Sequence, residues 1–404
     1  MSLIVQKFGG TSMDGPECIR NVARRIVATC AAGHNVVAVV SAAGDTTDHL
    51  IAMAGHITDH PPAREMDMLL ATGEQVSSAL LAMAIHAEGR HAISLTGAQA
   101  RIKTESVHTR ARILAVDRRR IDRELAAGRI VIVAGFQGVT DDEEITTLGR
   151  GGSDTTAVAL ASALGAGVCQ IYKDVEGVFT ADPRVVPEAR KIPVISYDEM
   201  LEMASSGAIA VQTRAAELAK QYRVPLEVRS SFVDREGTIV SDNAFERRRV
   251  VTGVTHDRDV AKITVPGILD RPGAAHTLFR GVADRHINVN LIVQSAPRGG
   301  RGDVSFTVAK SDMAAAVDAV RSVAASIGAE SVSADDQVAL VSIVGAGMTS
   351  NPGVAARMFG VLAAQGINIE LVATSEIKVS CVIRAADVEK AVRALHREFE
   401  LEKG

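Results

Sequence analysis

The chain has 404 residues, 47% hydrophobic and 23% charged, which excludes a single small module and a disordered chain and predicts two or three cored domains. Its 44 basic and 48 acidic side chains give a net charge of −4, with 3% aromatics and no Trp. Without a basic stripe or a base-stacking platform, no nucleic-acid partner is expected.

Up to about residue 230, apolar runs at 4–8, 36–41, 130–136 and 168–172 alternate with amphipathic helical stretches. That order predicts an α/β domain whose mostly parallel sheet is covered on both faces. The runs end in glycine, at Gly9-Gly10, Gly44 and Gly135. Ligands of open α/β sheets bind at strand carboxyl ends, so the site is sought there. Residues 242–249, DNAFERRR, read as a linker. Beyond it the chain repeats at an offset of 80: Pro272-Gly273 matches Pro352-Gly353, Phe279 matches Phe359, and Ile287-Asn288 matches Ile367-Asn368. Each copy reads strand, Pro-Gly-opened helix, strand, strand, helix, which predicts two ferredoxin-like βαββαβ units. The second copy lacks a closing strand, whereas residues 250–255 are an unclaimed one. We therefore expect 250–255 to join the second unit's sheet, with the first unit inserted within the second.

Cys18, Cys30, Cys169 and Cys381 stand singly, so neither a disulfide framework nor a Cys/His metal site is expected. The opening apolar run is too short for a secretory segment. The longest apolar stretch, taken as 157–172, is shorter than a membrane span, so a cytoplasmic chain without a membrane partner is expected.

Three segments carry chemistry. Lys7-Phe8-Gly9-Gly10-Thr11-Ser12 ends a strand and opens a helix, an arrangement suited to a phosphate, although a plain tight turn also wants glycine. It is neither GxxxxGK[ST] nor GxGxxG. Gly149-Arg150-Gly151-Gly152-Ser153-Asp154 joins an anion-binding backbone to a guanidinium able to clamp a carboxylate, with Asp154 free to orient a lysine or hold a metal. A simple helix cap is the alternative. Asp174, Asp182 and Arg184 follow, as carboxylates for ribose or Mg2+ and an arginine for phosphate. Ser41 with Thr47, and Glu74, also lie near strand ends, where each could be a cap.

These segments, KFGGTS, SAAGDTTD, TGEQVS, GFQG, TTLGRGGSDTTA, DVEGVFTADPR and VPLEVRSSF in order, followed by the paired Pro-Gly repeats, resemble monofunctional aspartokinases along essentially the whole chain. The resemblance implies an amino acid kinase fold over 1–241, the linker, one ACT domain over 262–335 and a second from 250–261 with 336–404. It implies transfer of the γ-phosphoryl group of Mg2+-bound ATP to the β-carboxylate of L-aspartate. On it, Lys7, Gly9, Gly10 and Ser12 serve the phosphates, and Ser41, Thr47, Glu74, Arg150, Gly151, Gly152 and Ser153 form the aspartate pocket. Lys7, Arg150 and Asp154 act in catalysis, while Lys173, Asp174, Phe179, Asp182 and Arg184 serve the nucleotide. Asp270, Gly273, Ala275, Gln294, Asn368 and Ile369 would form a threonine-type effector site. Val354, Ala355, Ser375 and Glu376 would contribute to a lysine-type site, in a homo-oligomer built through the ACT domains.

One departure stands out. Where the family shows Gly-(Ala/Ser)-Lys, this chain has Gly207-Ala208-Ile209, and Lys173 replaces the usual Ser or Thr. A swapped cation is one reading. A catalytically weakened amino-acid-sensing subunit is another, against which Lys7, Asp154 and Asp174 are intact. A kinase of an aspartate-like carboxylate is a third, against which Ser41, Thr47, Glu74 and Arg150 are intact.

Overall fold

The computed structural model describes residues 2–208, 210–242 and 250–403. Ile209, and 243–249 of the expected linker, lie outside the described residues. The chain forms two compact units, one built from residues 1–178, 191–204 and 209–246, the other from 179–190, 205–208 and 247–404.

The first unit is built on an eight-stranded sheet. Leu3–Phe8 lies between Asn35–Val40 and Val168–Lys173, parallel to both, with Phe8 level with Val40 and Tyr172. Ile130–Ala134, Ala92–Leu95 and Leu226–Ser230 extend it in parallel, and only Thr238–Val240 runs antiparallel to its neighbour Leu226–Ser230. Val36, Val37, Ala38, Val39 and Val40 are all buried, because helices cover both faces. A second, four-stranded sheet contains Gln137–Val139 paired with Ile145–Thr147.

The helix Ala63–Ala87 corrects one expectation, since its 25 residues, not 157–172, are long and apolar enough to cross a membrane. It is nonetheless half buried in this fold, and two of its buried side chains are the carboxylates Asp67 and Glu74. Its apolar residues occupy both the inward and the outward face.

The second unit holds two four-stranded antiparallel sheets. In one, Ala261–Leu269 is flanked by Arg301–Val308 and Ser333–Asp335, with Ile292–Gln294 at the far edge. In the other, Val338–Val344 pairs with Lys378–Arg384, which pairs with Leu371–Thr374. The place of that sheet's closing strand is taken by Gly253–Asp257, antiparallel to Val338–Val344. Chain order thus inserts the first βαββαβ repeat between the strands of the second. Lys262 of one repeat and Arg384 of the other both pair with Glu370.

Residues 179–190, although they lie between two strands of the eight-stranded sheet in sequence, pack with the second repeat. Ala181, Val185 and Val186 share a core with Val254, Ile343 and Leu395. The Thr180 hydroxyl bonds the buried His396 ring at 2.9 Å, and Arg393 donates to the Val185 carbonyl at 2.8 Å.

Candidate active site

At the carboxyl end of Leu3–Phe8 the chain turns sharply. A Cβ on Gly10 would stand 2.9 Å from the Ala42 carbonyl oxygen, so no side chain fits there. Gly9 is not sterically required in that way: a Cβ there would lie 3.6 Å from Lys7 Nζ, ordinary contact. Ser12 is buried with its hydroxyl 2.5 Å from that of Ser231.

The helix Gly152–Leu164 begins beside these strand ends. Gly149 and Gly151 have φ of 77° and 71°, and a Cβ on Gly151 would also strike Gln212 Cγ at 2.3 Å. Ser153 sits against Gly135, whose missing side chain leaves room for its hydroxyl. The residue before the helix is Gly151, which has no side chain with which to cap it. Asp154 instead faces the strand ends, with Lys7 Nζ 2.6 Å from one carboxylate oxygen and Lys173 Nζ 2.8 Å from the other.

Two ammonium groups on one buried carboxylate leave a local surplus of positive charge. Burial pulls the Lys7 pKa below its ordinary value, and Asp154 counters part of that pull. For Asp154, burial acts to raise the pKa, but Lys7 and Lys173 together outweigh it and hold the carboxyl below the usual carboxylate range. Lys173 is therefore no free surface charge.

Glu74 approaches from Ala63–Ala87. That helix comes so close to the loop after Asn35–Val40 that a Cβ on Gly73 would meet the Ala42 Cβ at 2.8 Å. The Ala42 N–H donates to Glu74 Oε1 at 3.0 Å, while Oε2 is buried without a hydrogen-bond partner. Burial pushes the Glu74 pKa up to about 7, against the Ala42 N–H and the Lys7 charge. Ser41 and Thr47 are half-buried in the same loop and helix start, and Arg150 is exposed beside the glycine turn.

Asp174, exposed, follows Lys173. Phe179, Asp182 and Arg184 lie in the second unit, where Arg184 pairs with Asp182 at 2.8 Å. Among the described residues no group of three His, Cys, Asp or Glu is placed to hold a metal.

Asp67 was missed in the sequence. It is fully buried and accepts from the Thr147 hydroxyl at 2.5 Å and the Thr109 N–H at 3.0 Å, with the His108 ring at 2.7 Å. It thereby fixes the segment that leads into Arg150. The available signal was a lone carboxylate inside the apolar run 66–71.

In the second unit the two repeats are alike at their helix starts. Gly273 and Gly353 both precede their helices with φ of 93°. Asp270, Ala275, Gln294, Asn368, Ser375 and Glu376 are exposed, Ala355 and Ile369 are half-buried, and Val354 is buried. The Glu376 carbonyl accepts from the Thr349 hydroxyl at 3.2 Å. The edge strands Ile292–Gln294 and Leu371–Thr374 come together.

Residues 2–230 match the amino acid kinase family, and residues 263–323 and 341–399 match the ACT domain. The aspartokinase of Mycobacterium tuberculosis is 48% identical over 407 residues, covering 99% of this chain and 97% of that protein. Among solved structures, E. coli aspartokinase III in complex with aspartate and ADP in the R-state is similar at TM-score 0.82 and 25% identity, covering 98% of this chain and 99% of that one. The T-state complex of the same enzyme with lysine and aspartate gives 0.73 at 25% identity and the same coverage. Matched by the amino acid kinase family over 2–230 and by the ACT domain in both repeats, and 48% identical to an aspartokinase over nearly its full length, the chain belongs to the aspartokinase family of kinases, an amino acid kinase domain followed by ACT domains.

Proposed function

We propose that this chain transfers the γ-phosphoryl group of ATP to the β-carboxylate of L-aspartate, giving 4-phospho-L-aspartate. A β-carboxylate oxygen attacks the γ-phosphorus while the bond to the ADP oxygen breaks. A carboxylate needs no strong base to do so, so positioning and neutralisation of charge carry the rate. The observation that carries the proposal is the Lys7–Asp154–Lys173 cluster beside the Gly9-Gly10 turn. Asp154 holds both ammonium groups at the strand ends, where their surplus charge meets the transferring phosphoryl group. The Gly9 and Gly10 amides take the neighbouring phosphates, and Lys173 supplies the cation that the family draws from the position of Ile209. The lone Oε2 of Glu74 fits the substrate ammonium, with Ser41, Thr47, Ser153 and the Gly151-Gly152 turn around it and Arg150 clamping a carboxylate. The complex of E. coli aspartokinase III with aspartate and ADP supports this substrate pair.

Mg2+ enters as part of the nucleotide, neutralising phosphate charge. The two oxygens of Asp154 are taken by lysines, which leaves Asp174 as the acidic residue next to the phosphates. Phe179, Asp182 and Arg184 are assigned to the nucleotide by family resemblance. Regulation by lysine, threonine or both is assigned to the ACT repeats. Asp270 and Glu376 would receive effector ammonium groups, and the helix starts after Gly273 and Gly353 their carboxylates. The lysine complex of the E. coli enzyme supports the lysine arm. A homo-oligomer through the ACT repeats and a cytoplasmic location complete the reading.

Trapping the acyl phosphate with hydroxylamine, in the presence of ATP and aspartate, glutamate or aspartate analogues, tests it. Product with aspartate alone is expected. Product only with another carboxylate moves the acceptor, and no product with any of them overturns the kinase assignment.

A further inference from the structure

The helix Thr213–Tyr222 begins against the glycine turn that carries Arg150, since the residue before it, Gln212, occupies the space a Gly151 side chain would need. Arg214, the second residue of that helix, is half-buried. Its guanidinium spans two segments that lie far apart in the chain: Nη1 donates to the Leu148 carbonyl and Nη2 to the Ala111 carbonyl, each at 2.8 Å. Leu148 and Ala111 are both buried, where a carbonyl without a donor is costly. The same two segments are joined directly by the Ala111 N–H on the Thr147 carbonyl at 3.0 Å, and again by Asp67, which accepts from Thr147 and Thr109. Thr109 has φ of 67°, a left-handed conformation unusual for a β-branched residue. Such strain persists only where the surroundings over-determine it.

We infer that Arg214 is a positioning residue for Arg150: by holding the Leu148 and Ala111 carbonyls together, it sets the turn from which Arg150 reaches the substrate carboxylate. The inference rests on the proposed role of Arg150 as the aspartate clamp. Among the described residues the Arg150 side chain makes no hydrogen bond or ion pair of its own, so its place is fixed by the backbone it leaves. That backbone has glycine on either side, Gly149 and Gly151, both at positive φ, and glycine leaves a turn wide conformational freedom. One side of the turn runs into the helix Gly152–Leu164. The other side is Leu148, and its carbonyl is what Arg214 holds.

The residue type fits the task. A guanidinium is planar and presents its donors in a rigid fork, so two carbonyls bonded to its two terminal nitrogens are fixed in both distance and orientation, which a single ammonium cannot do. Neither of these bonds reaches the Lys7–Asp154–Lys173 cluster. Arg214 therefore bears on the acceptor side of the reaction and leaves the phosphate side as it is.

Steady-state kinetics of the full chain test it, with Arg214→Met, which keeps the apolar stem and removes the fork, with Arg214→Lys, which keeps the charge on one nitrogen, and with each combined with Arg150→Ala. A misplaced clamp weakens ground state and transition state alike, so Arg214→Met should raise the aspartate KM roughly tenfold or more, with kcat and the ATP KM within about twofold of the parent. Arg214→Lys should show the same shift in smaller measure, and it decides the matter if Arg214→Met does not fold. A parental aspartate KM in the folded variants overturns the inference. So does a lowered kcat with both KM values unchanged, the pattern of a merely structural loss of active protein. In the Arg150→Ala background neither Arg214 substitution should raise the aspartate KM further. A fully additive rise shows that Arg214 acts by another route, and overturns the inference while leaving Arg150 its role. An Arg150→Ala chain with the parental aspartate KM removes the clamp reading itself, and this inference with it.

Discussion

Replacing Glu74 with Gln should make the kinase unit more stable at alkaline pH while damaging aspartate use. In the folded chain burial raises the Glu74 pKa from 4.5 to about 7, so the fold favours the protonated form. Its contribution to stability is therefore full below pH 4.5 and is lost as pH rises through about 7. At 1.36 kcal/mol per pKa unit, holding the ionised group folded costs about 3 kcal/mol at pH 8. Glutamine keeps an acceptor for the Ala42 N–H and removes the charge, so that cost disappears. For a domain of this size about 1 kcal/mol corresponds to 2–4 °C in Tm, so the variant should melt roughly 6–12 °C above the parent at pH 8 and level with it at pH 4.5. Melting curves of the ligand-free proteins across that pH range decide the matter. Aspartate should bind poorly to the variant, since an amide cannot neutralise the ammonium, and the loss of about 1.5–3 kcal/mol corresponds to roughly 10–150-fold in kcat/KM. An equal Tm difference at both pH values would refute the reasoning, because a merely structural effect has no reason to follow the carboxyl titration.

Arg150→Ala should cut kcat/KM for aspartate by roughly 10–150-fold while leaving the ATP Michaelis constant nearly unchanged; steady-state kinetics with each substrate varied separately check it. Lys173→Ser should lower turnover at least tenfold, and adding Ile209→Lys should restore part of it, so a double-mutant cycle should give a coupling of about 1 kcal/mol or more; additive effects would remove the exchange of one cation for the other. Ala275→Thr and Ser375→Phe should raise the concentration of threonine or lysine needed for half-inhibition without changing the uninhibited rate, because an effector shifts only an equilibrium whose two states it binds unequally; inhibition curves measured with each amino acid alone and with both check it.

Much of the architecture was legible in the chain. The continuous apolar strands, which require cover on both sides, announced the parallel sheet. The 80-residue offset announced two similar antiparallel units, and glycine at the strand ends pointed to the candidate site. Gly10 and Gly151 lie where another residue's atoms leave no room for a Cβ, so their identity carried geometric information even in one dimension. Helix Ala63–Ala87 was harder to read, because local hydropathy cannot say which apolar residues face inward.

Tertiary structure decided what local patterns could not encode. Residues 179–190 sit between kinase strands in sequence, yet Ala181, Val185 and Val186 complete the core of the second repeat, because burial depends on the partners at hand and not on chain order. Asp67 became recognisable as a positioning group only when Thr109 and Thr147, about 40 and 80 residues away, closed on its carboxylate. The sharing of Asp154 between Lys7 and Lys173 is likewise a property of adjacent strand ends and a helix start, three segments far apart in the chain. Composition and motif spacing determined which groups were available to bind a phosphate and a carboxylate. Only the fold, by excluding water from a few of them, determined which hold their protons, which share their charges, and which stay turned toward solvent.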